Sequence, residues 1–409
     1  MAKINYNKIE EIILERFVTR DTYDKKVYVS RDTLEKELSR MIKRSNCIII
    51  KGDSGCGKTW LTRYVLDNNN ISSKWVNLAR ILGDSSLYDL IKQEIPLLKT
   101  ESHHVEETGI NAFALNGKLE VDNTFSVGIN IYREFCKQNK NTVIIFDNLE
   151  SIISKQRELE DLSRIITLID DNEIRNYNIK IVIIGANRQI QTFFEKIPNY
   201  ETVSSRVMYF DEIKGLSYSE TSTLISNGFR NSYISLKDEY DFYKYIFDRT
   251  KGVPLYVVQL CYNIAITFID NEDLEIDLSK DKLIVNAERK WIKDSFSSEY
   301  AIVSKLFNAD DINDIKKYIL FCIAEYDDKA FDVDKMIINI QGYFTNTPDV
   351  ISKKSINDYL MQLSDVSRNN NILYFNGEEF SVRSIKMKLC MQMVLKATDN
   401  GVALEPLED

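Results

Sequence analysis

Eight consecutive residues, Gly52-Asp53-Ser54-Gly55-Cys56-Gly57-Lys58-Thr59, set glycines, a lysine and a hydroxyl at the spacing of a P-loop. Each residue type answers a need of polyphosphate chemistry. Glycines admit backbone conformations that a side chain would block, so successive N–H groups can face one anion. Lys58 supplies a mobile positive charge for β- and γ-phosphates, and the Thr59 hydroxyl is placed to ligate Mg2+. The apolar run at 47–51 predicts a buried strand leading into the loop. Residues 60–66 predict a helix behind it, whose positive N-terminal end adds to anion binding. ATP with Mg2+ is the expected cofactor pair, bound across residues 52–59 and the adjoining Trp60. Cys56, near Lys58 at a helix N-terminus, is expected to favour its thiolate.

A second polar cluster closes another apolar run. Residues 141–150, NTVIIFDNLE, predict a buried strand ending on Asp147, a carboxylate placed to hold Mg2+ together with Thr59. The next residue is Asn148. An amide orients water but takes no proton from it, so hydrolysis is expected to be slow, with Glu150 as a substitute base. Residues 180–184 predict a third parallel strand that delivers Asn187 and Arg188 to its end, where a polar side chain can meet a γ-phosphate.

The elements that must position these groups read in order along the chain. Residues 1–45 form a helical lead-in, with helices at 9–17 and 33–43, the second N-capped by Ser30 or Asp32. Residues 46–215 read as a parallel α/β core that adds a strand at 74–78, helices at 86–95 and 159–169, and a short strand at 203–210. Alternating residues about Asn116-Gly117 predict a β-hairpin insertion near 105–127, a surface decoration or a contact for an oligomer or DNA. Residues 216–309 read as a helical lid opened by a capping box at 216–220. The lid contains Lys251-Gly252-Val253-Pro254-Leu255, where glycine closes one helix and proline opens the next. Residues 310–398 predict three helices at 314–326, 332–343 and 354–366, a hairpin turning on Asn376-Gly377, and a last helix at 384–396. This is the winged-helix plan. Residues 399–409 read as a frayed acidic tail.

Composition narrows the function classes. A net charge of -9 argues against coating nucleic acid by bulk charge, so any DNA contact is local, at Lys353, Lys354, Arg383, Lys386 or Lys388 of the winged helix. The six cysteines form no CxxC pair and several lie within apolar runs, as in a reduced, cytoplasmic protein. His103 and His104 are the only histidines, too few for a zinc site or a histidine-based triad with its partners. The longest uncharged segment, 253–269, carries Gln259, Asn263 and Thr267 and is short for a membrane span.

Taken in order, the segment around Ser30-Arg31, the P-loop, the Asp147 strand, the Asn187 strand, Ser205-Arg206, the Gly252–Pro254 motif and the winged helix resemble AAA+ and STAND-type ATPases of the origin-recognition-like branch. That resemblance implies an α/β P-loop NTPase followed by a helical lid and a winged-helix domain. It implies that Arg31 and Pro254 contact the nucleotide, that Asn187 and Arg188 report the γ-phosphate, and that Arg206 reaches a neighbouring subunit's nucleotide. Ser30 and Asn148 depart from the pattern, where glycine and glutamate are usual. An ATP-driven switch is implied, which changes conformation or forms a homo-oligomer and signals to a separate effector, with antiphage defence one setting. The alternative is a DNA-binding loader of the replication-origin or transposition type.

Overall fold

A computed structural model describes residues 5–17, 25–81, 85–93, 119–309, 314–326, 330–344, 352–365, 367, 371–398 and 401–407. The chain divides into two compact units, one of residues 20–215 and one that joins residues 1–19 to 216–409. The expected lead-in at 1–45 is therefore split. Helix α1 (Tyr6–Arg16) belongs with the C-terminal half of the chain, and α2 (Asp32–Arg44) with the core.

The core unit is built on five parallel strands, β1 (Cys47–Lys51), β2 (Ser73–Asn77), β3 (Val143–Asp147), β4 (Lys180–Gly185) and β5 (Met208–Tyr209), in the order β2-β3-β4-β1-β5. Successive side chains of a strand face opposite sides of the sheet. Ile49, Ile144, Phe146, Ile181 and Ile183 enter one core, and Ile48, Ile50, Ile145, Val182 and Ile184 the other. Burial on both faces explains why these strands read as unbroken apolar runs. The helices that cover them are α3 (Lys58–Asn68), α4 (Leu87–Gln93), α5 (Leu119–Gln138), α6 (Gln156–Thr167), α7 (Asn172–Asn176), α8 (Asn187–Lys196) and α9 (Tyr200–Ser204).

Local chemistry differs from expectation at three places. Neither Ser30 nor Asp32 caps α2; the Glu35 carboxylate reaches back to accept from the Arg31 N–H at 2.6 Å. The other end of α2 is closed from across the fold by Lys180, whose ammonium donates to the carbonyls of Ile42, Lys43 and Ser45. Of the hairpin expected near 105–127, residues up to 118 lie outside the described ones, and from Leu119 the chain is helix α5. The strand expected at 203–210 is only Met208–Tyr209, because α9 occupies Tyr200–Ser204.

The second unit contains α10 (Tyr218–Phe229), β6 (Ser235–Leu236), α11 (Glu239–Thr250), α12 (Pro254–Asp270), β7 (Glu275–Ile276), α13 (Asp281–Ser295) and α14 (Ser297–Phe307). It is not wholly helical, since β6 and β7 pair in parallel. The capping box at Ser217 and Glu220 is formed. Helix α1 is held by Phe17, whose ring lies 4.9 Å from that of Phe229 and directly over Gly228, where a Cβ would stand 2.3 Å away. Farther along come α15 (Asp314–Glu325), α16 (Val333–Tyr343), α17 (Lys353–Ser364), and the antiparallel pair β8 (Leu373–Phe375) and β9 (Phe380–Val382). Phe331 extends that pair by a bridge to Phe380. Helix α18 (Ile385–Val394) ends earlier than expected, because β10 (Leu395–Thr398) and β11 (Gly401–Leu404) form an antiparallel pair. Residues 401–404 are thus a strand rather than a frayed tail. Among the described residues, no helix is long and apolar enough to cross a membrane.

Candidate nucleotide site

The site lies at the C-terminal ends of β1, β3 and β4, where the sheet order makes β4 the neighbour of both others. Gly52 follows β1 and bridges Ile213; a Cβ there would stand 2.4 Å from the Ile213 carbonyl oxygen, so no other residue fits. Gly57, at φ 86°, turns the loop into α3 through the left-handed region. Asp53 and Ser54 are exposed, Gly55 and Trp60 half-buried.

Lys58 and Asp147 carry the chemistry. The Lys58 ammonium donates to the carbonyls of Gly52 and Asp53, both at 2.9 Å, so it lies along the inside of the loop. Burial pulls its pKa down, opposed first by the charge of Glu150. The Thr59 hydroxyl donates to the Asp147 carboxylate at 3.0 Å, which brings the two expected Mg2+ ligands together. Burial pushes the Asp147 carboxyl up, against the bonds it accepts from Thr59 and from the Asn148 N–H. A half-buried cation and a half-buried anion, each penalised for its charge, are the groups that a polyphosphate and its divalent cation would relieve. Thr59 and Asp147 fit Mg2+, which takes few protein ligands and fills its octahedron with phosphate oxygens and water.

Asn148 adopts φ 63°, and its side-chain amide donates to the Asn77 side-chain Oδ1 at 2.8 Å. Asn77, at the end of β2 and in register with Asp147, was not singled out from sequence. The signal was present, since KWVN ends on a polar residue just as VIIFD does. Glu150 is exposed in the short 3-10 segment after β3, and its charge acts on both Lys58 and Asp147. Asn187 and Arg188 open α8 directly after β4, at the same sheet edge.

The remaining expected site residues are Arg206, Arg31 and Pro254. Arg206 precedes β5, at the sheet edge opposite the loop, because Met208 is in register with Ile48. Its guanidinium is 2.7 Å from Asp170 and donates to the Thr202 carbonyl at 2.7 Å. Arg31 donates to the carbonyls of Lys214 and Gly215 at 3.1 and 3.5 Å. Pro254 belongs to the other unit, as the first residue of α12. The expectation for Cys56 is overturned: its thiol is 3% exposed and pushed up to about 11, chiefly by burial and then by Asp53.

Residues 40–194 match the family model described as AAA domain. This segment is an AAA domain. No curated protein matches the chain. The AAA domain and the residues C-terminal to it share a fold with solved structures over nearly their whole length. The Walker-type ATPase of Pyrococcus abyssi superposes at TM-score 0.54 and 13% identity, covering 92% of this chain and 99% of that one. The ORC2 protein of Aeropyrum pernix in its ADP form does so at TM-score 0.53 and 14% identity, covering 93% and 98%. Its ADPNP–ADP complexes give TM-score 0.50 at 13% identity, covering 90% and 98%.

Proposed function

We propose that this chain is an ATP-binding, slowly hydrolysing molecular switch of the AAA+ and STAND type. The observation that carries the reading is the convergence of Lys58, Thr59 and Asp147, with the two Mg2+ ligands already in contact. When bound, Mg2+ would neutralise phosphate charge from Thr59 and Asp147, while the loop's N–H groups and Lys58 hold the phosphates. Asn148 supports slow turnover, since its amide is turned to Asn77 and has no proton-accepting carboxylate to offer. Glu150 is the nearby base, exposed and electrostatically coupled to the site. The γ-phosphate would favour one arrangement by a few kcal/mol, enough to shift conformation or self-association and to signal to a separate effector.

Steady-state hydrolysis tests the reading. Mg2+-dependent turnover well below about 10 s⁻¹, lost in Lys58→Ala, is expected. Turnover above that value, or none at any ATP concentration, contradicts it. Size-exclusion chromatography with and without a non-hydrolysable ATP analogue tests the assembly step; unchanged mass in every nucleotide state counts against it.

The DNA-loader reading is less well supported. We read residues 310–398 as a winged helix, but most of its candidate DNA-contacting cations have intramolecular partners. Lys353 pairs with Asp334 at 2.6 Å and Lys386 with Glu299 at 2.9 Å; Arg383 donates to Asn371 and to the Leu373 carbonyl, and Lys388 to the Tyr326 carbonyl.

A further inference from the structure

The turn between β8 and β9 puts an electrophile, a nucleophile and two hydrogen-bond donors into consecutive residues, Asn376 to Glu379. The Asn376 Oδ1 accepts from the Glu378 N–H at 2.9 Å and from the Glu379 N–H at 2.8 Å. Two backbone donors on one amide oxygen polarise its bond to Cγ, and they face the atom that gathers negative charge when a nucleophile adds there. The nitrogen of Gly377 is the adjoining nucleophile. Among the described residues its N–H donates to no acceptor, and nothing stands within 4 Å of the position a Cβ on Gly377 would take. Gly377 has φ 106°, a conformation that favours glycine, and both it and Asn376 are exposed. The turn is held in shape by the Asn376 N–H, which donates to the Glu379 carbonyl at 3.2 Å.

We propose that Asn376 is a self-modification site, where the chain converts its own amide to a carboxylate without an enzyme. This stands apart from the switch reading and uses only the second unit. Solvent hydroxide takes the Gly377 N–H proton, and the nitrogen adds to Asn376 Cγ. The bond from Cγ to Nδ2 breaks, and ammonia leaves after taking a proton from water. Water then opens the five-membered imide at either carbonyl, giving aspartate or isoaspartate. The balance is one water consumed and one ammonia released, with nothing oxidised or reduced. In the aspartate product the N–H groups of 378 and 379 hold a carboxylate, a stronger, charge-assisted bond. The new charge joins Glu378 and Glu379, with Lys335 the cation in contact, 3.2 Å from Glu379. Three successive carboxylates would repel a polyanion from this turn.

A second Asn-Gly step among the described residues provides the comparison. Asn227-Gly228 lies inside α10, where the helix ladder engages the Gly228 N–H, and Gly228 is covered by the Phe17 ring. The same two residue types are there denied the reaction.

Peptide mapping by mass spectrometry of the full-length protein, aged in warm, mildly alkaline buffer, tests the proposal. The peptide holding Asn376 should gain the mass of –OH in place of –NH2, with conversion of Asn227 slower by at least about a hundredfold, the lower figure for a lost oxyanion donor. Hydroxylamine, which attacks the imide, should cut the chain between Asn376 and Gly377. In guanidinium-unfolded protein, Asn227 should convert as Asn376 does, and Asn376 no faster than in the folded chain. Asn376→Gln, whose longer side chain closes a ring far less readily, should abolish both conversion and cleavage at 376. Native hydrogen exchange in β8 and β9 would show that this variant keeps its hairpin. An Asn376 that stays intact in the folded protein while converting in the unfolded one would overturn the proposal, because the turn would then protect the amide. Equal conversion of Asn227 and Asn376 in the folded protein would also overturn it, since sequence alone would set the rate.

Discussion

At the scale of single residues, the site is a set of charges held at a cost. Lys58 and Asp147 are both disfavoured by burial, yet each keeps polar partners. Replacing Lys58 with Ala removes the loop's internal cation, and ATP affinity should fall by at least about a hundredfold, nearly 3 kcal/mol. Thermal unfolding of that variant should stay close to that of the natural protein, which a melting curve beside calorimetry checks. Cys56 gives a pH test. Its thiol is pushed up to about 11, so at pH 7.5 its thiolate is scarce and alkylation should be at least about a hundredfold slower than for an ordinary cysteine thiol. The rate should climb as pH rises toward that value; a fast reaction at pH 7.5 would show the thiol to be ionised. The loop's ligand types were legible in sequence because spacing alone determines them. The state of Cys56 was not, because burial is a property of the fold and outweighs the helix end.

At the scale of elements, buried runs were readable and short or context-dependent ones were not. The unbroken apolar segments that became β1, β3 and β4 declared themselves, because a strand covered on both faces needs no alternation. The two-residue β5 and the β10–β11 pair carry too little pattern to separate from neighbouring helix or tail. Two substitutions test the packing. Gly228→Ala would put a Cβ 2.3 Å from the Phe17 ring, and overpacking of this kind costs about 1–3 kcal/mol. Denaturant unfolding should show that loss, with faster hydrogen exchange in α1. Asp161 on α6 is 4% exposed and pushed from 3.8 up to about 6, chiefly by burial and against the pull of Arg164. Its unfolded carboxyl titrates lower, so the native state binds the extra proton between pH 4 and 6, and stability falls as pH rises through that window. Asp161→Asn should therefore raise the melting temperature by about 2–4 °C at pH 7.5, equivalent to about 1 kcal/mol, and not at pH 4. A gain of equal size at both pH values would assign the effect to packing.

At the scale of the whole molecule, the chain order conceals how the units are composed. Residues 1–45 look like one lead-in, yet α1 completes the second unit, and only a long-range contact such as Phe17 on Gly228 reveals that. The pairing of Lys353 with Asp334 was equally hidden, since the partners are far apart in sequence. Exposed pairs of this kind are weak, so a polyanion could displace them at low salt. DNA affinity is accordingly expected to be low and to vanish near physiological salt, as a mobility-shift series would read. Tight binding lost on substitution of Lys353 and Lys354 would favour the loader instead.

The central claim is that the loop at 52–59 receives Mg2+ and ATP. Isothermal titration calorimetry of the full chain with ATP and Mg2+ tests it most directly. Saturable binding near one nucleotide per chain, abolished in Lys58→Ala and weakened without Mg2+, is the predicted result. No heat at millimolar ATP, or equal binding by Lys58→Ala, would contradict it.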